Sequence, residues 1–198
     1  MIQARLVTRF PARPFELLDA GVNGDRIADI RERLEDDVLA LRPDVVILYW
    51  DSDVSDVDEA DKTPDEVRQL RGLYERDVVA VLQRLAAAGA HVVMSGPTLI
   101  GERPHARNGK DPQLDLYRDM NRRIAAAAGV RYIDTRRAFQ ARRPAGAAAT
   151  VDRGLLTEDG EHLNARGARL AGTLFARAIA AWCRRQPPPA PRTDPTPR

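Results

Sequence analysis

Apolar residues recur along this chain in two alternating patterns. From Asp25 to Leu41 they fall on one helical stripe, Ile27, Ile30, Leu34, Val38 and Leu41. After Pro43 they become the continuous run Val45-Val46-Ile47-Leu48-Tyr49-Trp50, as expected of a strand buried on both faces. Thr63-Pro64-Asp65-Glu66 then supplies a cap, a first-turn proline and early acids for a second helix. Its buried stripe is Val67, Leu70, Tyr74, Val78, Leu82 and Leu85, and Gly89 closes it. His91-Val92-Val93-Met94 reads as the next strand, and Asp111-Pro112 opens a helix that carries Leu116, Met120 and Ile124 to Gly129. Arg131-Tyr132-Ile133 is a short strand ending at Asp134, followed by a weaker helix around Ala138 and a loop near Ala145. A last helix spans about Ala165 to Arg185, burying Leu170, Leu174, Ala178, Ile179 and Trp182.

The N-terminal stretch fits the same scheme. Ile2, Leu6 and Phe10 share a helical face that Pro11 and Pro14 end. Phe15 to Gly21 then reads as a short strand running into a glycine turn. Strand and helix alternate throughout, which predicts a parallel sheet with helices on both faces. Ligands of such sheets bind beyond the carboxyl ends of the strands. One domain is expected over residues 1–186, with a disordered proline-rich tail over 187–198.

Composition narrows the classes. Of 198 residues 43% are hydrophobic and 30% charged, ordinary for a globular protein. The formal charge is +2, and the arginines alternate with acids along helices, so no clustered nucleic-acid surface is expected. Cys183 is the only cysteine, placed in an apolar helix, which excludes an intramolecular disulfide. No apolar run is long enough for a membrane span, and Met1 to Leu6 shows no signal core, so the chain as written reads as cytoplasmic. The oligomeric state is not legible.

Chemistry concentrates in Asp159-Gly160-Glu161-His162, just before the last helix. A carboxylate three residues from an imidazole can hold one ring nitrogen and leave the other facing a cleft, the orienter and base of a nucleophilic hydrolase. A second feature is Gly21-Val22-Asn23-Gly24-Asp25, a glycine turn at a helix N-terminus whose amides can stabilise an anion. Taken together, these stretches resemble the SGNH (GDSL-type) hydrolase family. Asp19-Ala20-Gly21-Val22-Asn23-Gly24-Asp25 is similar to its second block, with Asp19 where asparagine is usual. Asp159-Gly160-Glu161-His162-Leu163-Asn164 is similar to its last block.

The resemblance implies a flavodoxin-like three-layer fold and ester hydrolysis through a serine acyl-enzyme, without cofactor or metal. It implies His162 as general base, Asp159 as its partner and the Gly24 amide in the oxyanion hole, acting on a small-molecule ester. Asp53 falls where the family has an oxyanion-hole asparagine. An ionised carboxylate cannot donate there, so either a protonated Asp53 or the neighbouring Ser52 would have to. The first block, a strand followed by Gly-Asp-Ser, has no counterpart in the chain. In a sheet ordered 2-1-3-4-5 that block is the central strand. A start placed too far downstream, or a truncated record, is therefore expected. The structure should show a gap between the Leu17 and Val46 strands, or their direct pairing.

The serines of the chain are Ser52, Ser55 and Ser95. Ser52 and Ser95, at strand ends, are candidates to face His162 but fit local bonding better. His91 reads as structural and His105 as a rim residue in the loop from Gly96 to Lys110, which is expected to shape the substrate pocket. Two rival readings stand. Asp51-Ser52-Asp53-Val54 after a strand resembles the first motif of haloacid-dehalogenase-type phosphatases, implying Mg²⁺, with Asp51 as nucleophile, Asp53 as acid/base, and Ser95 and Lys110 as later motifs. The other rival is a non-catalytic domain of SGNH type that keeps only a binding cleft.

Overall fold

In the computed structural model, the described residues are 1–55, 59–103, 108–143 and 152–187. His105, Asp56, Asp58, the loop near Ala145 and the tail beyond residue 187 lie outside them, and so does the side chain of Ser55. Three strands, β1 (Val45–Leu48), β2 (His91–Ser95) and β3 (Arg131–Ile133), form a parallel sheet in the order β1-β2-β3. Its register pairs Val46 with Val92 and Met94 with Tyr132. Helices α1 (Ile2–Arg9), α2 (Ile27–Asp37), α3 (Ser52–Ser55), α4 (Pro64–Ala87), α5 (Asp111–Ala127), α6 (Thr135–Gln140) and α7 (Ala165–Cys183) surround it.

Strand alternation divides the core into two layers. Val46, Leu48, Val92, Met94 and Tyr132 face α2, α4 and α5, against Leu34, Tyr74, Val78, Leu85, Leu114 and Ile124. Val45, Ile47, Val93 and Ile133 point the other way, against Leu6, Phe139, Phe175 and Ile179 of α1, α6 and α7. This is the expected three-layer α/β arrangement. Helix α4 begins where its capping box predicts, the Thr63 hydroxyl accepting from the Glu66 amide while Glu66 accepts from the Thr63 amide.

Two expectations need correcting. The strand predicted at Phe15 has no regular secondary structure, and it does not pair with β1. Instead the Phe15 carbonyl accepts from Gln3 Nε2 at 2.8 Å and the Ala20 carbonyl from Arg33 Nη1 at 2.7 Å. A strand is defined by a partner, and none reaches this segment; Leu17 and Leu18 stay 49% and 55% exposed. Direct pairing is therefore not found, and β1 is flanked by a strand on one side only among the described residues. The buried stripe of α7 is the predicted one only in part. Ala178 and Ile179 are buried as expected, together with Gly167, Ala171, Gly172 and Phe175, whereas Leu170, Leu174 and Trp182 are intermediate. The small residues matter because α1 packs directly on α7, with the Met1 and Ile2 side chains over Gly172.

Candidate active site

Residues 152–164 form a loop that climbs to the start of α7. Its stem is closed by a bridge between Thr157 and Leu163, and by bonds from the Glu158 amide to the His162 carbonyl and from the Asn164 amide to the Leu156 carbonyl. Asn164 then starts the helix. Its Oδ1 accepts the amides of Arg166 and Gly167 at 2.9 and 3.0 Å, while its Nδ2 donates back to the Thr157 carbonyl at 3.1 Å. One side chain therefore joins the loop to the helix.

At the tip of this loop Asp159 and His162 meet. Asp159 Oδ1 accepts the amides of Glu161 and His162 at 3.0 and 2.8 Å, which is a local Asx-type turn. Its other oxygen, Oδ2, accepts from His162 Nδ1 at 2.6 Å. That bond fixes the tautomer with the proton on Nδ1 and leaves Nε2 as an acceptor. The backbone amides and the His162 ring hold the Asp159 carboxyl far below the usual carboxylate range. The His162 imidazole is raised above its ordinary value by its hydrogen bond to Asp159 and by that residue's charge. Glu161 and Asp51 add smaller contributions in the same direction.

Asp51 follows β1, so the carboxyl end of that strand faces the same rim. Tyr49 lies between, its hydroxyl 3.3 Å from Asp51 Oδ2 and 3.2 Å from Thr98 Oγ1. Asp53 points elsewhere. Its Oδ2 accepts from the Ile27 amide at 2.8 Å, at the positive end of α2, and the carboxylate also takes a bond from the Trp50 side chain. Burial nevertheless raises the Asp53 carboxyl above its ordinary value, against the lowering effect of these bonds. Ser52 opens the short helix α3 and is of intermediate exposure.

The glycine turn is exposed. Gly24 has φ +83°, the left-handed conformation that glycine adopts at no steric cost, and its amide has no partner among the described residues. Arg33 of α2 anchors this turn from below, pairing with Asp25 Oδ2 at 2.5 Å and Asp37 Oδ2 at 3.0 Å besides the Ala20 carbonyl. Sequence reading missed Arg33, although it stands one turn before Asp37 and eight residues after Asp25. No hydrogen bond joins Gly24 to the Asp159–His162 pair.

Ser95 is fully buried, bonded to Thr135 Oγ1 at 2.6 Å and to the Ile133 carbonyl at 3.0 Å, so it cannot meet His162. His91 stacks on Trp182 at the opposite end of the sheet, as a structural residue would. Among the described residues no hydroxyl is hydrogen-bonded to His162. A groove lined by Glu59, Arg71, Asn108, Lys110 and Leu116 includes neither member of the pair. No helix among the described residues is long and apolar enough to cross a membrane.

A parallel α/β sheet with an aspartate–histidine pair on its carboxyl rim defines a hydrolase-type domain. Comparison makes the class specific: the chain matches the model of the GDSL-like lipase/acylhydrolase family over residues 1–170 and belongs to that family of ester-cleaving hydrolases. No curated protein matches it. Among solved structures it is similar to the acetyl xylan esterase AlAXEase at 31% identity and TM-score 0.77, covering 90% of this chain and 88% of that one. The fold is shared with LAE5, an alpha/beta hydrolase from the metagenome of Lake Arreo, Spain, at 24% identity and TM-score 0.71, covering 90% and 79%. It is also shared with the acetylxylan esterase Axe2 from Geobacillus stearothermophilus, at 19% identity and TM-score 0.73, covering 90% and 78%. The phosphatase reading is accordingly not favoured, and its acid/base candidate Asp53 is bonded to the start of α2.

Proposed function

We propose that His162 is the general base of an acetyl-ester hydrolase acting on an acetylated carbohydrate, with Asp159 as its orienting partner. The observation that carries this reading is the 2.6 Å bond from Nδ1 to Asp159 Oδ2, in a pair that leaves His162 59% exposed. The free Nε2 takes the proton of a serine hydroxyl as that oxygen attacks the acetyl carbonyl, and delivers it to the departing sugar oxygen. In the second half it takes a proton from water, which releases acetate. Gly24 is one oxyanion donor, and Ser52 is a better second donor than Asp53, whose carboxylate already accepts two bonds. The serine of this route is not among the residues bonded to His162. The substrate assignment is supported by the 31% identical acetyl xylan esterase.

The test is release of acetate from acetylated xylo-oligosaccharide, and of nitrophenol from p-nitrophenyl acetate, by the chain, by the chain supplied with an N-terminal strand and Gly-Asp-Ser block, and by His162→Ala of the form that turns over. A loss of about 10²-fold or more in the variant is expected. Activity needs neutral His162, so the rate should rise with pH through a value above the ordinary histidine range, and Asp159→Asn should move that limb downward. Turnover indifferent to both substitutions would sink the assignment. A non-catalytic carbohydrate-binding domain is the second reading, favoured because no hydroxyl among the described residues is bonded to His162; retained binding of the oligosaccharide without turnover would support it.

A further inference from the structure

We infer that Glu102 is a positioning residue for the Asp159–His162 turn, an inference that rests on reading His162 as the base. Glu102 lies in the loop between β2 and α5, only 2% exposed. Among the described residues its carboxylate makes no ion pair. Instead Oε1 accepts the Leu156 and Thr157 amides at 2.7 and 2.6 Å and the Thr157 hydroxyl at 2.6 Å, while Oε2 accepts the Leu155 amide at 2.8 Å. Four donors from three consecutive residues therefore converge on one buried anion. Burial alone would raise this carboxyl, but these bonds together hold it below its ordinary value.

The same short segment touches the loop twice more. The Gly101 amide donates to the Gly160 carbonyl at 2.6 Å and the Glu102 amide to the Asp152 carbonyl at 2.9 Å. It is itself braced from the core. Arg136, fully buried, donates to the Thr98 carbonyl at 2.9 Å and pairs with Asp111 at 2.7 Å, and Asp111 also pairs with Arg143. Arg143 Nη2 reaches the Gly101 carbonyl at 3.3 Å. A continuous run of charge-assisted bonds thus leads from α5 and α6 to the stem of the catalytic turn.

Magnitudes say why the turn needs this. Asp159 and His162 are 52% and 59% exposed, and an ion pair so wet contributes little on its own. The turn at its tip includes Gly160 at φ +108° and would sample other shapes if its stem were loose. The geometry at Asp159 must therefore be imposed through the stem, where hydrogen bonds to a buried carboxylate are strong. A glutamine at 102 keeps the shape but offers an NH₂ to the Leu155 amide, donor against donor.

The experiment is NMR on the full chain. The His162 ring is titrated, and exchange of the 155–157 amides is measured, in the wild type, Glu102→Gln, Thr157→Val and Asp159→Asn. His162 responds to Asp159, Glu161 and Asp51, all of which remain in the first two variants. Glu102→Gln should lower the His162 pKa toward its ordinary value and speed exchange at 155–157 about tenfold or more. Thr157→Val should do the same to a smaller degree, and decides the matter if Glu102→Gln does not fold. If neither variant moves His162 while Asp159→Asn does, Glu102 only stabilises the loop and the inference fails alone. If Asp159→Asn leaves His162 unmoved, the catalytic reading of the pair fails, whatever Glu102 does.

Discussion

Between Asp152 and Gly167 the chain is tied at almost every turn, by Glu102, by Asn164 and by its own bridge at Thr157. From Pro11 to Gly24 it is held only at intervals: by Gln3 and Arg33, by its own Arg13 on the carbonyls of Gln186 and Pro187, and by local bonds from the Arg13 amide to the Phe10 carbonyl, from the Gly21 amide to Asp19 and from the Asp25 amide to the Val22 carbonyl. Both segments carry residues of the proposed site, yet one delivers a fixed side-chain pair and the other a solvent-facing backbone turn. The difference follows from the sheet. The first segment is bonded to the loop between β2 and α5 and to the start of α7, whereas the second pairs with no strand, and β1 carries a strand on one edge only among the described residues. Order at the His162 side of the proposed site comes from buried charge and backbone pairing. On the glycine side it comes from single side-chain bonds to carbonyls and the largely buried pair of Arg33 with Asp25.

The largest test of that contrast is Asp111→Ala. It removes the carboxylate shared by Arg136 and Arg143 and leaves two buried guanidinium groups without it. Breaking a buried pair from one side costs about 3–5 kcal/mol. Urea unfolding should show that loss, together with faster amide exchange at residues 155–157. A cost below about 1 kcal/mol would mean that the brace under Glu102 is slack, and the two regions would then differ much less than their hydrogen bonds suggest.

Glycine substitutions sharpen the comparison at the next scale. A Cβ on Gly167 would overlap the Leu156 carbonyl oxygen, a backbone atom that cannot step aside without moving the loop. Gly167→Ala should cost about 1–3 kcal/mol, as overpacking does, and should disturb His162 as well. Gly24 has φ +83° but nothing within 4 Å of such a Cβ. Gly24→Ala should cost only the left-handed backbone penalty of about 1–2 kcal/mol, and should leave the His162 titration unchanged. Equal effects on His162 from both variants would contradict the separation of the two regions.

How much of this was legible beforehand follows the same division. Periodicity found β1, β2, β3 and the helices α2, α4, α5 and α7, because each buries a face against a neighbour that enforces the pattern. It failed at Phe15 to Ala20, where an apolar cluster suggests a strand but no ladder exists to make one. Asp159 and His162 could be read from spacing, since a turn of four residues is local. Glu102, Arg136 and Asp111 could not, because their partners stand 21 to 55 residues away and nothing local marks a buried charge. For Asp53, sequence position pointed to the oxyanion hole, while the structure turns it to the amide of Ile27.

The smallest expected effect belongs to the exposed leucines. Leu17 and Leu18 would alternate between the two faces of a sheet if this segment were a strand, and each would then lose packing on becoming serine. In the observed chain they are 49% and 55% exposed, so about half of each side chain leaves water on folding. Leu17→Ser and Leu18→Ser should each cost about 1 kcal/mol, roughly half of what full burial of a leucine is worth. The urea midpoint tells this from the roughly two- to threefold larger loss that full burial implies. A loss above about 2 kcal/mol for either variant would show that these side chains are covered in solution. The contrast between a braced rim and an unbraced one would then not hold.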